Sequence, residues 1–479
     1  MKALSARIPG PHWMKDIRFW ILFFFLIRLY GINFPPVETG HNWRQSVVNM
    51  TARNFHEEGI DLLRPRIDIA GELSGITGME FPAYNACIAV MIDLFGEAHW
   101  YGRLLNLIVS SIGTLFFFLL IKRYFDEEWA FYAALILLSS LWFSMGRKII
   151  PDIFACSILF YGLERALRFI HGERGRLALF SASLSCCLAV LMKLSVGAWL
   201  ILIPLAYFLP GIDKKRWFLL NILIGLLLLS VLYWYAIWVP HLVLTYGYWH
   251  FFMGIPMIEG AQEIFANVPD LLKRFFQTPL GYIGSLAMLG GIYFMIKESE
   301  RKAWFIFLSV FSLFFLFILK SGDNFLIHNY YSIPLVPLFA FAAARGIKEL
   351  KAPWLVAVLL AGIILEGILN QSRDFVLKPE QVELSHLEEK INSIIPQDAL
   401  IWINSEGSPT AMYFAHRKGW SGYAEDLKKT GYIDSLGQKG LSYILLFEKH
   451  GVMPESLDMN VVYSDKRLHI YALGKAVKE

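Results

Sequence analysis

Over the first 370 residues, apolar runs alternate with short, charged connections. The runs are about 18 to 24 residues long, enough to cross a hydrocarbon core at roughly 1.5 Å of rise per helical residue. They predict spans near 18–34, 101–121, 128–146, 151–170, 177–193, 195–210, 216–238, 279–296, 302–319, 330–346 and 354–370, about eleven in all. The run 81–95 is shorter, opens at Pro82 and carries Asn85 and Asp93. If it does not cross, the basic connections at Lys122-Arg123, Arg168–Arg176, Lys214–Arg216, Lys297–Lys302 and Arg345–Lys351 all face the cytoplasm, as the positive-inside rule requires. If it does cross, all of them face outward. It is therefore predicted as an amphipathic interfacial helix within one long external loop, Pro35 to Tyr101.

Lys2, Arg7, Lys15 and Arg18 precede the first run as in a signal peptide, but no small-residue cleavage site follows, which predicts an uncleaved span with a cytoplasmic amino end. After Gln371 the pattern changes. A helix is predicted over 380–395, a strand over 399–404, a helix over 408–418, a strand over 443–448, and a hairpin of 460–464 with 468–473 around Asp465-Lys466. The expected organisation is a polytopic α-helical membrane domain, 1–370, followed by a soluble α/β domain, 371–479, placed outside by eleven crossings.

Composition agrees: of 479 residues 56% are hydrophobic, 15% aromatic and 18% charged, and mean hydropathy is +0.48. The apolar share and hydropathy exceed those of soluble domains, and the charged share falls below theirs. A net charge of +4 with no basic cluster gives no reason to expect a nucleic-acid partner. Cys87, Cys156, Cys186 and Cys187 lack metal-type spacing, and no structural disulfide is expected.

Candidate chemistry gathers at the outer ends of the spans. Pro35-Pro36-Val37-Glu38-Thr39-Gly40-His41-Asn42-Trp43-Arg44-Gln45 concentrates an acid, an imidazole, an indole and a guanidinium beside the first span. Glu80, Tyr84, Arg103, Arg147, Lys148, Asp152, Lys193, Lys320, His328, Tyr330 and Tyr331 occupy other outward ends, where ionisable groups near lipid are functional candidates. Each also has a plain reading: cations snorkel, Asp152 caps a helix, and paired tyrosines form an aromatic belt. The stretch 241–277, with Tyr248, Trp249 and His250, reads as a long external loop able to act as a lid. No cofactor is predicted; Glu38 with His41 leaves a divalent metal open, but no further ligand stands at recognisable spacing.

Glu38 with His41-Asn42-Trp43-Arg44-Gln45, Glu80-Phe81-Pro82-Ala83-Tyr84, Trp100-Tyr101-Gly102-Arg103-Leu104, Gly146-Arg147 to Pro151-Asp152 and His328-Asn329-Tyr330-Tyr331 together resemble the GT-C superfamily of polyprenyl-phosphate-sugar glycosyltransferases. The similarity is to the branch of protein mannosyltransferases and lipid A aminoarabinose transferases. It implies one-step inverting transfer from a lipid-phosphate sugar, with an acid at the start of the first external loop as base. That position is usually Asp and often followed by Glu; here it is Glu38, with no second acid beside it.

A lipid phosphate is already a good leaving group, so such a reaction needs one base and cations rather than paired carboxylates. The reading is thus a multi-pass glycosyltransferase of a bacterial inner membrane, its active site facing the periplasm. Glu38 and Asp152 are the catalytic candidates; His41, Trp43, Arg44, Glu80, Tyr84, Arg103, Arg147, Lys148, Lys193, His328, Tyr330 and Tyr331 are the substrate-binding ones. Its partners are a polyprenyl-phosphate sugar, a glycan, lipid or protein acceptor, and membrane lipid. The alternatives are a flippase for lipid-linked saccharides and an oligosaccharide ligase or polymerase.

Overall fold

The computed structural model describes residues 11–38, 40–248, 254–377, 379–448 and 457–473. Lys2, Arg7, Thr39, Trp249 and His250 lie outside the described residues. Each predicted apolar segment carries helix. Tyr101–Tyr124, Lys214–Tyr246, Arg301–Ser321, Asn329–Lys348 and Pro353–Phe375 are long and apolar enough to cross a membrane by length and composition. A sixth is added if Val268–Phe276 and Gly281–Lys297, bent by 93°, count as one span. Elsewhere the helices are shorter or more polar than their hydropathy suggests. The first, Ile17–Arg28, stops before the left-handed Gly31 (φ 59°). Glu127–Ser139 breaks at Ser140, whose hydroxyl turns back to the Leu137 carbonyl. Pro151–Ile170 carries Asp152, Glu164, Arg165 and Arg168.

The chain forms two compact units. The first takes residues up to Ile32, Gly102–Ile237 and Phe252–Phe375; the second takes Asn33–Tyr101, Trp238–Phe251 and the chain from Val376 onward. In the first unit, helices approach closely through small residues. A Cβ on Gly291 would stand 1.8 Å from the Ala342 carbonyl oxygen, and one on Gly346 2.2 Å from that of Ala287. Helices Gly281–Lys297 and Val336–Lys348 therefore pack backbone to backbone, as expected where lipid supplies no hydrophobic drive between helices.

The second unit carries a five-stranded sheet: β1 Leu400–Ile403, β2 Gly419–Ser421, β3 Leu441–Phe447, β4 Asn460–Ser464 and β5 Leu468–Ala472. Their order is β2-β1-β3-β5-β4. β1 lies parallel to β2 and β3, whereas β5 runs antiparallel to β3 and β4. Alternation along β1 sends Ile401 and Ile403 into one core and Trp402 into the other. Asp465 shapes the hairpin turn, its carboxylate accepting from the backbone N–H groups of Arg467 and Leu468. The helix foreseen over 380–395 is two short ones, Pro379–Leu384 and Leu387–Ile391. The three-residue β2 was not foreseen, being too short to show a period.

Residues 33–101, expected to belong with the membrane domain, group with the C-terminal chain because they build one core with it. Val37, Val47, Met50, Ile67 and Met79 pack with Ile401, Met412, Leu445 and Ile470. The stretch 68–71 also hydrogen-bonds the edge strand, Gly71 N to Gly419 O at 2.7 Å and Gly419 N to Asp68 O at 2.9 Å. Helix Ala83–Phe95 forms as predicted, burying Tyr84, Ile88 and Ile92 on one face while Leu94 and Phe95 stay exposed. The stretch 241–277 is largely helical where described, with Val239–Tyr246, Met257–Ala266 and Val268–Phe276, rather than an irregular loop.

Candidate active site

The polar candidates form two sets, one in each unit. In the second unit, Pro35-Pro36 ends the approach from the first helix, and Glu38 pairs through its backbone with Leu377 in an isolated antiparallel bridge. Gly40 (φ 83°) and His41 (φ 64°) then take two consecutive left-handed conformations. That reversal starts helix Asn42–Glu58, and its first turn brings Gln45 back over Glu38. The Glu38 carboxylate is buried, with Oε2 accepting from Gln45 Nε2 at 3.2 Å. Arg44 and Glu80, both foreseen as substrate contacts, form an ion pair with each other at 2.6 Å. Tyr84 has no exposed surface, and Trp43 packs on the core.

In the first unit, Pro151 opens a helix whose first turn carries Asp152, fully enclosed and 2.9 Å from the Lys193 ammonium. Lys193 sits where helix Arg176–Met192 gives way to a 3₁₀ turn, so its side chain enters the interior instead of snorkelling. Its ammonium lies 5.1 Å from the Tyr331 ring centroid and 5.7 Å from that of Tyr330, within cation–π range. His328 stacks beside both tyrosines.

The turn 146–150 is tied down by Asn106, whose amide reaches the carbonyls of Lys148 and Ile150 at 2.5 and 2.8 Å. Lys148 pairs with Asp374 at 3.2 Å. Arg147 donates to the Gly31 carbonyl at 2.6 Å and lies over the Phe375 ring, and Arg103 reaches the Ile32 carbonyl at 3.5 Å. Two foreseen cationic candidates thus donate to backbone carbonyls just beyond the first helix. Fully buried Arg28 sits in the same region, with Ser110 and Ser111 as partners.

Gln45, Asn106, Asp374 and Arg28 were not among the candidates. Asn106 stands one helical turn from Arg103, and that spacing was the available signal. Asp374 and Gln45 gave none, since their roles depend on partners distant in sequence or on the turn at Gly40-His41. The first unit also contains a polar cavity of about 450 Å³, lined among others by Arg274, Gln277, Asn329, Asn370, Gln371 and Arg373. Neither Lys193 nor Asp152 lines it. Among the described residues no three His, Cys, Asp or Glu side chains gather as a metal site.

Residues 80–234 match the profile of the dolichyl-phosphate-mannose-protein mannosyltransferase family. No curated protein sequence matches the chain significantly. Among solved structures, ArnT from Cupriavidus metallidurans bound to undecaprenyl phosphate is similar, with a TM-score of 0.61 at 14% identity over 95% of this chain and 98% of that one. The archaeal oligosaccharyltransferase AglB from Archaeoglobus fulgidus, in complex with an inhibitory peptide and a dolichol-phosphate, matches at 0.53 and 12% identity over 89% and 69%. The arabinofuranosyltransferase AftD from Mycobacteria matches at 0.53 and 12% over 96% and 40%. The chain thus matches that family's profile over 80–234 and shares its fold with these membrane transferases along nearly its whole length, with at least five helices long and apolar enough to cross a membrane.

Proposed function

We propose that the enzyme moves a sugar from a polyprenyl-phosphate carrier to a glycan, lipid or protein acceptor at the periplasmic face of a bacterial inner membrane, in one inverting step with Glu38 as base. The observation that carries this reading is the setting of Glu38: a buried carboxylate held by its backbone at Leu377 and by the Gln45 amide, just after the first apolar helix. The acceptor oxygen attacks the anomeric carbon while its proton passes to Glu38. The anomeric C–O bond to the carrier breaks, and its electrons leave on the lipid phosphate. The polar cavity with Arg274 and Arg373 is suited to phosphate and sugar hydroxyls, guanidinium being a fork for phosphate oxygens. Two similar structures hold a polyprenyl-type phosphate, which supports this donor class. The likeness to AglB keeps an oligosaccharide-transferring variant of the reaction as the second reading.

On this reading the chain crosses about eleven times from a cytoplasmic start, and residues 371–479 lie on the periplasmic side. A reporter fused after Gln371 is expected outside and one inserted near Lys214 inside; a cytoplasmic signal at 371 overturns the topology. The chemical test is single-turnover transfer with a panel of polyprenyl-phosphate sugars, alongside equilibrium donor binding. Glu38→Gln keeps size but not basicity, so transfer is expected to fall by about 100-fold or more with donor binding retained. Wild-type turnover in that variant removes Glu38 as the base, and loss of donor binding makes it part of the pocket instead.

A further inference from the structure

The far end of helix Asn42–Glu58 is gripped by side chains of the C-terminal segment, all within the second unit. Buried Arg53 donates to the Tyr413 carbonyl and to Asp68, each at 2.9 Å, and Asp68 also accepts from Asn54. Nearer the start, Ser46 and Thr410 hydroxyls meet at 3.3 Å. At the end stands His416, which closes helix Pro409–Ala415 in a left-handed conformation (φ 48°). Its ring lies between two carboxylates, Nδ1 at 2.7 Å from Glu388 and Nε2 at 2.6 Å from Glu57.

A neutral imidazole has one N–H and can satisfy only one of those acids; donating to both requires the imidazolium. Other charges around it leave that balance in place. Arg53 reaches Glu57 at 4.0 Å, Lys418 pairs with Glu58 at 2.9 Å, and Arg66 also pairs with Glu58. Arg417 spends its donors on the carbonyls of Ile395, Pro396, Ala415 and His416 and on Asn392. His56 is paired with Asp93, and His386 with Glu389.

We propose that His416 is a positioning residue for the transfer reaction: shared as an imidazolium by Glu57 and Glu388, it fixes the far end of the helix whose first turn presents Gln45 to Glu38. A helix is a stiff rod, so anchoring one end limits tilt and rotation at the other. The proposal rests on Glu38 being the base. Burial alone disfavours the charged ring, but the hydrogen bonds to Glu388 and Glu57 outweigh it and raise the pKa from 6.5 to about 9. The clip is therefore complete below about pH 6.5, weakens as pH rises, and is lost as pH passes about 9.

The test is transfer by the purified full-length enzyme from about pH 6 to about pH 10, resolved into kcat and donor KM. Wild type is expected to lose kcat along an alkaline limb with its midpoint near 9. His416→Asn, a residue at ease in the left-handed region, is expected to lower kcat about tenfold at neutral pH, leave donor KM unchanged and flatten the limb. His416→Arg, whose charge does not titrate in this range, is expected to restore kcat and carry it past the limb. Wild-type kcat and an unchanged limb in His416→Asn overturn the proposal; so does a loss confined to thermal stability. Glu38→Gln separates the two readings, because it lowers turnover by about 100-fold or more at every pH if Glu38 is the base, whereas wild-type turnover sinks the base assignment and leaves the His416 limb to be judged by itself.

Discussion

Asp152 and Glu38 are both enclosed carboxylates, one in each compact unit, and they are held by different chemistry. Asp152 stands 2.9 Å from an ammonium in an apolar helical setting, and Lys148 with Asp374 repeats the arrangement at 3.2 Å. Glu38 accepts a hydrogen bond from the uncharged amide of Gln45. The ammonium compensates the Asp152 charge directly, whereas the Gln45 amide orients the Glu38 carboxylate. Both acids look catalytic in the sequence. In the proposed mechanism Glu38 is the base, while Asp152 compensates Lys193, whose ammonium in turn faces the Tyr330 and Tyr331 rings.

The sharpest way to break this comparison is Lys193→Met. If Asp152 is there to balance Lys193, removing the cation strands a buried carboxylate and is expected to cost about 3–5 kcal/mol of stability, read as a fall in the thermal midpoint in detergent. Lys193→Met with Asp152→Asn is expected to recover much of that loss, since two neutral groups replace two ions. A single variant as stable as wild type ends the distinction between the two acids. The smaller effect sharpens the other side. Gln45→Leu removes the amide while keeping bulk, and is expected to slow transfer about tenfold with little change in stability, the scale of a charge-assisted hydrogen bond that orients a reacting group. Unchanged turnover there means that the Gln45 amide does not position Glu38.

The two units were not equally legible. Helix Asn42–Glu58 shows why: its sequence is polar, yet Gln45, Ser46, Asn49, Thr51, Arg53 and Asn54 are buried. The side chains of Ser46, Asn49, Arg53 and Asn54 bond to Thr410, His99, Tyr413 and Asp68, up to hundreds of residues away along the chain. No local pattern announces such burial. The same holds for Lys193, which hydropathy alone leaves equally able to snorkel or to turn inward. Pro151-Asp152 was readable as a helix start, because the missing N–H of proline and the favoured acid in the first turn are local effects.

By itself the sequence determined the apolar helices, the longer strands of the C-terminal segment and the placing of an acid beside the first helix. Each follows from properties of neighbouring residues: run length, two-residue alternation, and prolines that end a helix. Only the tertiary structure decided that residues 33–101 share a core with the C-terminal chain, that Arg44 is engaged by Glu80, and that Asp152 belongs to Lys193 while Glu38 belongs to Gln45. Pairing of charges and sharing of a core are choices among distant partners of similar local chemistry, and they are settled by which packing buries the most apolar surface without stranding a charge.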